Sequence, residues 1–287
     1  MMEAARPRSP ETPHMLKRPI PSSGELLPVV GCGTWQAFDV GTAPSARAPL
    51  RDVLGALVEG GGSLIDTSPM YGAAEQVVGD LVAETGLRDK TFIATKVWTQ
   101  GRGAGEAQMQ RSAELLKSDP VDLIQIHNLV DWRTQLATLR ARKEEGRVRY
   151  IGITHYTTSA HAELAALIRA EKLDFVQFNY ALDERGAEEE LLPLTAARGV
   201  ATLINRPLGQ GALVKRLAHR KLPDFAAELG CTDWAGLALK YILANEAVTC
   251  IVPATRRPEH MRENAAAGSG ELPDAEMRRR IIVAAGV

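Results

Sequence analysis

Eight short apolar, β-branched runs recur along the chain, each followed by a longer stretch with apolar residues at helical spacing. The runs lie at residues 29–34 (VVGCGT), 63–67 (SLIDT), 91–97 (TFIATKV), 121–127 (VDLIQIH), 148–154 (VRYIGIT), 173–178 (LDFVQF), 200–204 (VATLI) and 248–252 (VTCIV). A continuous apolar run of this length is the pattern of a strand buried on both faces, as in a parallel sheet. Their starts fall 25 to 34 residues apart, except for a 48-residue interval before the last. Eight strand–helix units at a steady period predict an α/β fold, a closed (β/α)8 barrel of the TIM type, with an open doubly wound sheet as the alternative.

Helices are expected at 49–59, 74–84, 106–117, 131–145, 159–170, 187–198 and 257–267. Pro49 suits a first helical position, and Gly60, Gly146 and Gly199 each follow a helix end. The long seventh interval has room for extra helices at 223–229 and 233–244, and 273–285 reads as one more. Residues 1–14 are polar and Pro-rich and read as a flexible tail, with Met15 as a second candidate start. Residues 16–27 turn at Pro-Ser-Ser-Gly and read as an N-terminal hairpin. No composition break divides residues 15–287, which are read as one barrel domain.

Among 287 residues, Lys plus Arg number 34 and Asp plus Glu 35. So even a balance offers no global electrostatic case for nucleic acid or an anionic membrane. No apolar run reaches the ~18 residues of a membrane span. Cys32, Cys231 and Cys250 are an odd count without CxxC spacing, which speaks against a disulfide framework and for a reducing, cytoplasmic setting. His14, His161 and His219 have no carboxylate at ligand spacing, so no metal is expected. GCGTWQ at 31–36 has Gln36 where a dinucleotide fingerprint needs its third glycine, and reads as the first barrel strand.

Chemistry in such a barrel sits at the C-terminal strand ends. There, Asp66, Lys96 and His127 end three consecutive runs, and Tyr71 follows Asp66 in DTSPMYG. A free tyrosine has a pKa of ~10. A lysine ammonium beside it favours phenolate, and an aspartate keeps a buried lysine charged. A histidine can orient a substrate oxygen. Such a set protonates a carbonyl oxygen while the carbon receives hydride, and none of the four supplies hydride, which implies a nicotinamide cofactor.

The sequence resembles the aldo-keto reductase family from about Lys17 onward. The resemblance rests on DTSPMYG with Glu75 and Gly79, on TKVW at 95–98, IHN at 126–128 and VRYIGIT at 148–154. It continues through QFNY at 177–180, PLGQG at 207–211 and IVPATRRPEHMREN near the end. It implies a catalytic tetrad of Tyr71 as general acid, Lys96 and Asp66 tuning it, and His127 positioning the carbonyl.

It also implies that Gln177 and the pair Thr154-His155 hold the nicotinamide carboxamide; the family often has Ser-Asn at that pair. Asn205 stands where a stacking aromatic is usual. Arg206, Leu208, Gly209 and Gly211 fall near the pyrophosphate, and Thr34 near the cofactor. Glu263 and Asn264 match an adenine-contacting pair. Thr255, Arg256 and His260 lie where a 2′-phosphate is gripped, Arg256 or Arg257 being suited to bidentate pairing. NADPH is therefore the expected cofactor and NADH the alternative, although Ala254-Thr255 and His260 replace the usual Lys-Ser and arginine.

Trp35 and Trp98 are expected walls of a substrate pocket that the short C-terminal end leaves open. The expected partner is a small carbonyl compound, and the expected assembly a monomer or small homo-oligomer. Two rivals stand beside the reductase: a cofactor-binding regulatory subunit on the same fold, and a Schiff-base aldolase using Lys96.

Overall fold

A computed structural model describes residues 14–287. Apart from His14, the expected tail at 1–14 lies outside the described residues. All eight expected strands are present, each within or overlapping its expected run. They are β3 (Cys32–Gly33), β4 (Leu64–Asp66), β5 (Phe92–Val97), β6 (Val121–His127), β7 (Val148–Thr154), β8 (Phe175–Asn179), β9 (Ala201–Asn205) and β10 (Cys250–Ile251). They form one parallel sheet in sequence order. Backbone bonds from Gly31 N–H to the Ile251 carbonyl (2.8 Å) and from Ile251 N–H to the Val29 carbonyl (2.9 Å) join the two edges. The sheet is therefore a barrel and not the open alternative.

The expected hairpin is also present. β1 (Lys17–Pro19) pairs antiparallel with β2 (Leu26–Pro28). Ile20 and Leu27 join the cluster formed by Leu64, Phe92, Leu123, Tyr150, Phe175 and Leu203. Those residues belong to successive strands, so they fill the barrel, and the hairpin closes it at the end opposite the strand C-termini. Residues of the other parity, such as Ile124, Ile126, Ile151, Ile153 and Val176, pack outward among the helices.

The helices are α1 (Pro44–Glu59), α2 (Ala74–Thr85), α3 (Arg102–Leu116), α4 (Trp132–Glu144), α5 (His161–Ala170), α6 (Leu191–Arg198), α7 (Ala212–Leu217), α8 (Trp234–Leu243), α9 (Pro258–Ala266) and α10 (Ala275–Ala285). α1 corrects an expectation: Pro44 takes the first-turn position and Pro49 lies inside the helix. Its first turn is polar and exposed, so apolar spacing begins only at Leu50. α3 likewise starts earlier than expected, because its first residues are Arg, Gly and Ala. The helix expected at 223–229 is a 3-10 helix, Asp224–Leu229, and α7 was not expected. α2 lies so close to α3 that a Cβ on Gly79 would sit 2.0 Å from the Leu115 carbonyl oxygen. Cys32, Cys231 and Cys250 are buried free thiols.

Candidate active site

Strand parity places the candidate residues. On β4, Leu64 points into the barrel, so Asp66 does too. On β5, Phe92 and Ala94 point inward, and Lys96 follows them at the mouth; on β6, Leu123 sets the same phase for His127. The register carries this row onward, with His127 beside Thr154 and Thr154 beside Gln177. Five of the expected polar residues therefore stand together at the C-terminal end of the barrel.

Lys96 is 1% exposed. Its Nζ donates to Asp66 Oδ1 at 2.9 Å and to the Thr67 carbonyl at 2.8 Å, and lies 5.0 Å from the centre of the Tyr71 ring. Burial pulls the ammonium toward neutrality, but Asp66 and Tyr71 together outweigh it and leave its pKa above the ordinary value. Lys96 is thus a held cation, unlike a Schiff-base nucleophile, which needs its free amine.

Tyr71 packs edge-on against His127, with ring centres 6.0 Å apart. Its pKa is raised, contrary to the expectation from Lys96 alone. Burial, opposed by Lys96 and reinforced by Asp66, is the larger effect. The phenol keeps its proton at neutral pH, and Lys96 favours the phenolate as it forms. Burial, with Lys96 and His155 adding to it, pushes the His127 pKa down to about 3, so its ring is neutral. Ser68 Oγ lies 3.2 Å from His127 Nδ1 and receives the Met70 N–H. The hydroxyl can donate to Nδ1 while it accepts from Met70, an arrangement that puts the ring proton on Nε2.

The sequence reading missed Ser68 and the Thr67 carbonyl, although both lie inside DTSPMYG, directly after Asp66. It also missed the tie from Thr95 Oγ1 to the buried Glu75 carboxylate at 2.5 Å, which joins α2 to β5 one residue before Lys96.

The expected cofactor residues fall into three groups. Thr154 Oγ1 donates to Gln177 Oε1 at 2.9 Å, and Gln177 Nε2 is left buried without a partner. Asn205 Nδ2 approaches the His155 carbonyl at 3.5 Å, and its Oδ1 is likewise buried and unpartnered. A free amide donor and a free amide acceptor are complementary to a carboxamide, which both donates and accepts. These residues fit a nicotinamide.

The second group is the turn after β9. Gly209 and Gly211 have positive φ in a 3-10 turn beside the half-buried Leu208. Arg206 does not stand free: it donates to the Tyr156 carbonyl at 3.3 Å and to Gln210 Oε1 at 2.8 Å, and lies 5.7 Å from the centre of the Tyr156 ring. Tyr156 in turn stacks on His155 with centres 5.6 Å apart.

The third group opens α9. Thr255 Oγ1 receives the Arg257 N–H at 3.0 Å, Asn264 is buried, and His260 and Glu263 are exposed. Arg256 donates through Nε to the Ala37 carbonyl at 3.1 Å and through Nη2 to the Gln36 carbonyl. Thr34 proves to be a tie within the barrel, its N–H and Oγ1 both donating to the Asp66 carbonyl at 3.0 Å.

Trp35 and Trp98 are 44% and 43% exposed on the loops after β3 and β5, so neither is ordinary core. Met70, next to Tyr71, is also exposed and was not expected. Among the described residues no cluster of His, Cys, Asp or Glu could hold a metal ion, and no helix is long and apolar enough to cross a membrane.

Comparison with known proteins identifies the family. The sequence model described as "Aldo/keto reductase family" matches residues 29–282. Methylglyoxal reductase YeaE of Escherichia coli is 31% identical over 271 residues, spanning 92% of this chain and 93% of that protein. An NADH-specific methylglyoxal reductase of Escherichia coli is 26% identical, spanning 91% of this chain and 96% of its own length. An aldo/keto reductase from Klebsiella pneumoniae, solved in complex with NADP and acetate, is 25% identical with a TM-score of 0.77; the match covers 90% of this chain and 91% of that one. The chain belongs to the aldo-keto reductase family.

Proposed function

We propose that the protein reduces small aldehydes and ketones to alcohols with NADPH, Tyr71 being the general acid. One observation carries this reading: the buried Asp66–Lys96 pair stands beside the Tyr71 ring and the neutral His127 at the mouth of the barrel. Gln177, Thr154 and Asn205 would hold the carboxamide, and the Gly209–Gly211 turn, with its backbone amides, is suited to phosphate oxygens. The dinucleotide, when bound, supplies the hydride that the carbonyl carbon receives.

His127 donates its Nε2–H to the substrate carbonyl oxygen and orients it. Tyr71 Oη transfers its proton to that oxygen as charge develops there. Lys96, held charged by Asp66, stabilises the phenolate left behind. Trp35, Met70 and Trp98 offer apolar surface to the rest of the substrate. The Klebsiella relative's NADP complex supports NADPH, and the NADH-specific relative keeps NADH as the comparison to make. The two relatives named for methylglyoxal support an aldehyde of that size.

The test is oxidation of NADPH, beside NADH, with methylglyoxal and a panel of aliphatic and aromatic aldehydes, with Tyr71→Phe as the control. The expected result is consumption that needs the aldehyde, runs faster with NADPH, and falls about 10²- to 10⁴-fold in the variant with cofactor affinity kept. A variant retaining most of its rate removes Tyr71 as the acid. Tight cofactor binding without turnover favours the regulatory reading.

A further inference from the structure

Asp39 lies outside the tetrad, in the loop between β3 and α1. Its Oδ1 accepts the Ala73 N–H at 3.0 Å. Ala73 is the N-cap residue of α2 and makes no cap bond with its own side chain, so the carboxylate caps that helix from another loop. The carboxylate also lies against Gly72. A Cβ there would meet Asp39 Oδ1 at 2.2 Å and Oδ2 at 2.6 Å, and Gly72 has φ +60°, a conformation glycine adopts readily. Gly72 directly follows Tyr71.

The loop bearing Asp39 is itself anchored. Phe38 is fully buried in the cluster against which Tyr71 and Ala73 pack. Phe38 and Ala37 N–H groups both donate to the Thr34 carbonyl, and Thr34 is tied to the Asp66 carbonyl. Arg256 grips the Gln36 and Ala37 carbonyls from the start of α9. One short loop therefore holds the Asp66 backbone, is held by Arg256, and reaches through Asp39 to the residues immediately after Tyr71.

From this geometry we propose that Asp39 is a positioning residue for the general acid: its carboxylate oxygen fixes the Tyr71–Ala73 segment so that the Tyr71 hydroxyl stays in reach of the substrate oxygen. This rests on Tyr71 being the acid. A hydrogen bond two residues from the reacting atom matters because proton transfer depends steeply on approach, a displacement of ~1 Å costing up to ~10²-fold in rate. Asp39 touches neither Lys96 nor His127 in the structure, so its effect should pass through Tyr71 alone.

The experiment compares single-turnover aldehyde reduction by wild type, Asp39→Ala, Asp39→Asn, Tyr71→Phe and the Tyr71→Phe/Asp39→Ala double variant, at saturating NADPH. Asp39→Ala is expected to slow the chemical step about tenfold, with substrate KM and NADPH affinity nearly unchanged and the melting temperature lowered by about 1–8 °C through loss of the cap. Asp39→Asn keeps an acceptor oxygen and should stay within about twofold of wild type. In the Tyr71→Phe background, Asp39→Ala should cost nothing further, because the group it positions is gone.

The proposal is overturned by an Asp39→Ala rate within twofold of wild type, by an Asp39→Asn rate as slow as the alanine variant, or by an alanine effect that persists in full without the Tyr71 hydroxyl. A Tyr71→Phe enzyme with its rate intact would overturn the acid assignment first, and this proposal with it.

Discussion

Lys96→Met separates what the buried ion pair does for the fold from what it does for the reaction. The side chains of Lys96 and Asp66 are 1% and 7% exposed, and the ammonium is the hydrogen-bond donor found for the Asp66 carboxylate among the described residues. Methionine fills much the same space but leaves that carboxylate buried and alone. Breaking such a pair from one side costs about 3–5 kcal/mol. Native stability is about 5–15 kcal/mol, so the variant should still fold. At about 2–4 °C per kcal/mol for a chain of this size, its melting temperature should fall by about 6–20 °C. The same change strips Tyr71 of the cation that opposes its burial, so the phenolate forms less readily and kcat should drop about 10²- to 10³-fold. Adding Asp66→Asn removes the orphaned charge. The double variant should regain most of the lost melting temperature and none of the lost rate. Differential scanning calorimetry and steady-state aldehyde reduction on the three proteins give the answer. A single variant that melts within 2 °C of wild type, or a double variant no more stable than the single, would refute the argument that Lys96 is there to neutralise a buried carboxylate.

Two further outcomes follow from the structure. The folded state holds the His127 pKa near 3, well below the ~6.5 of an unfolded histidine. The unfolded chain therefore takes up a proton that the folded one refuses, and stability should fall as pH drops from about 6.5 toward 3. His127→Gln should flatten that slope in melting curves taken between pH 7.5 and 4.5, and parallel curves would mean that His127 titrates normally. Gly79→Ala would drive a methyl group against the Leu115 carbonyl oxygen and the Leu116 Cα, which sit 2.0 and 2.8 Å from where its Cβ must go. Backbone cannot yield as a side chain can, so α2 and α3 must separate at a cost of about 1–3 kcal/mol, and an unshifted melting temperature would show slack between them.

The barrel and its row of candidate catalytic residues were legible because both follow from alternation. Once a buried strand carries Leu64, Phe92 or Leu123 inward, residues two or four positions later must also point inward, and those are Asp66, Lys96 and His127. The strands β6 and β7 match their expected bounds. The start of α1 was not legible, because its first turn carries no apolar period; Pro44 opens the helix, whereas the expectation rested on Pro49 alone. The direction of the Tyr71 shift was hidden for another reason. Sequence shows which charges gather, whereas the balance between a charge and desolvation depends on how deep the group lies.

Arg256 marks the limit most clearly. Its identity and place before α9 suggest a two-pronged grip on a phosphate. In the folded chain Nε and Nη2, the edge best suited to such a grip, already donate to the Ala37 and Gln36 carbonyls. A phosphate reaching this arginine would meet its end-on edge, Nη1 and the remaining Nη2 hydrogen, on a guanidinium tied into the loop that also carries Asp39. That edge can still fork a phosphate, so the tie fixes where the arginine points without removing its two-pronged grip. The charge could be read from the sequence. Its engagement could not, because it is decided by carbonyls about 220 positions earlier in the chain.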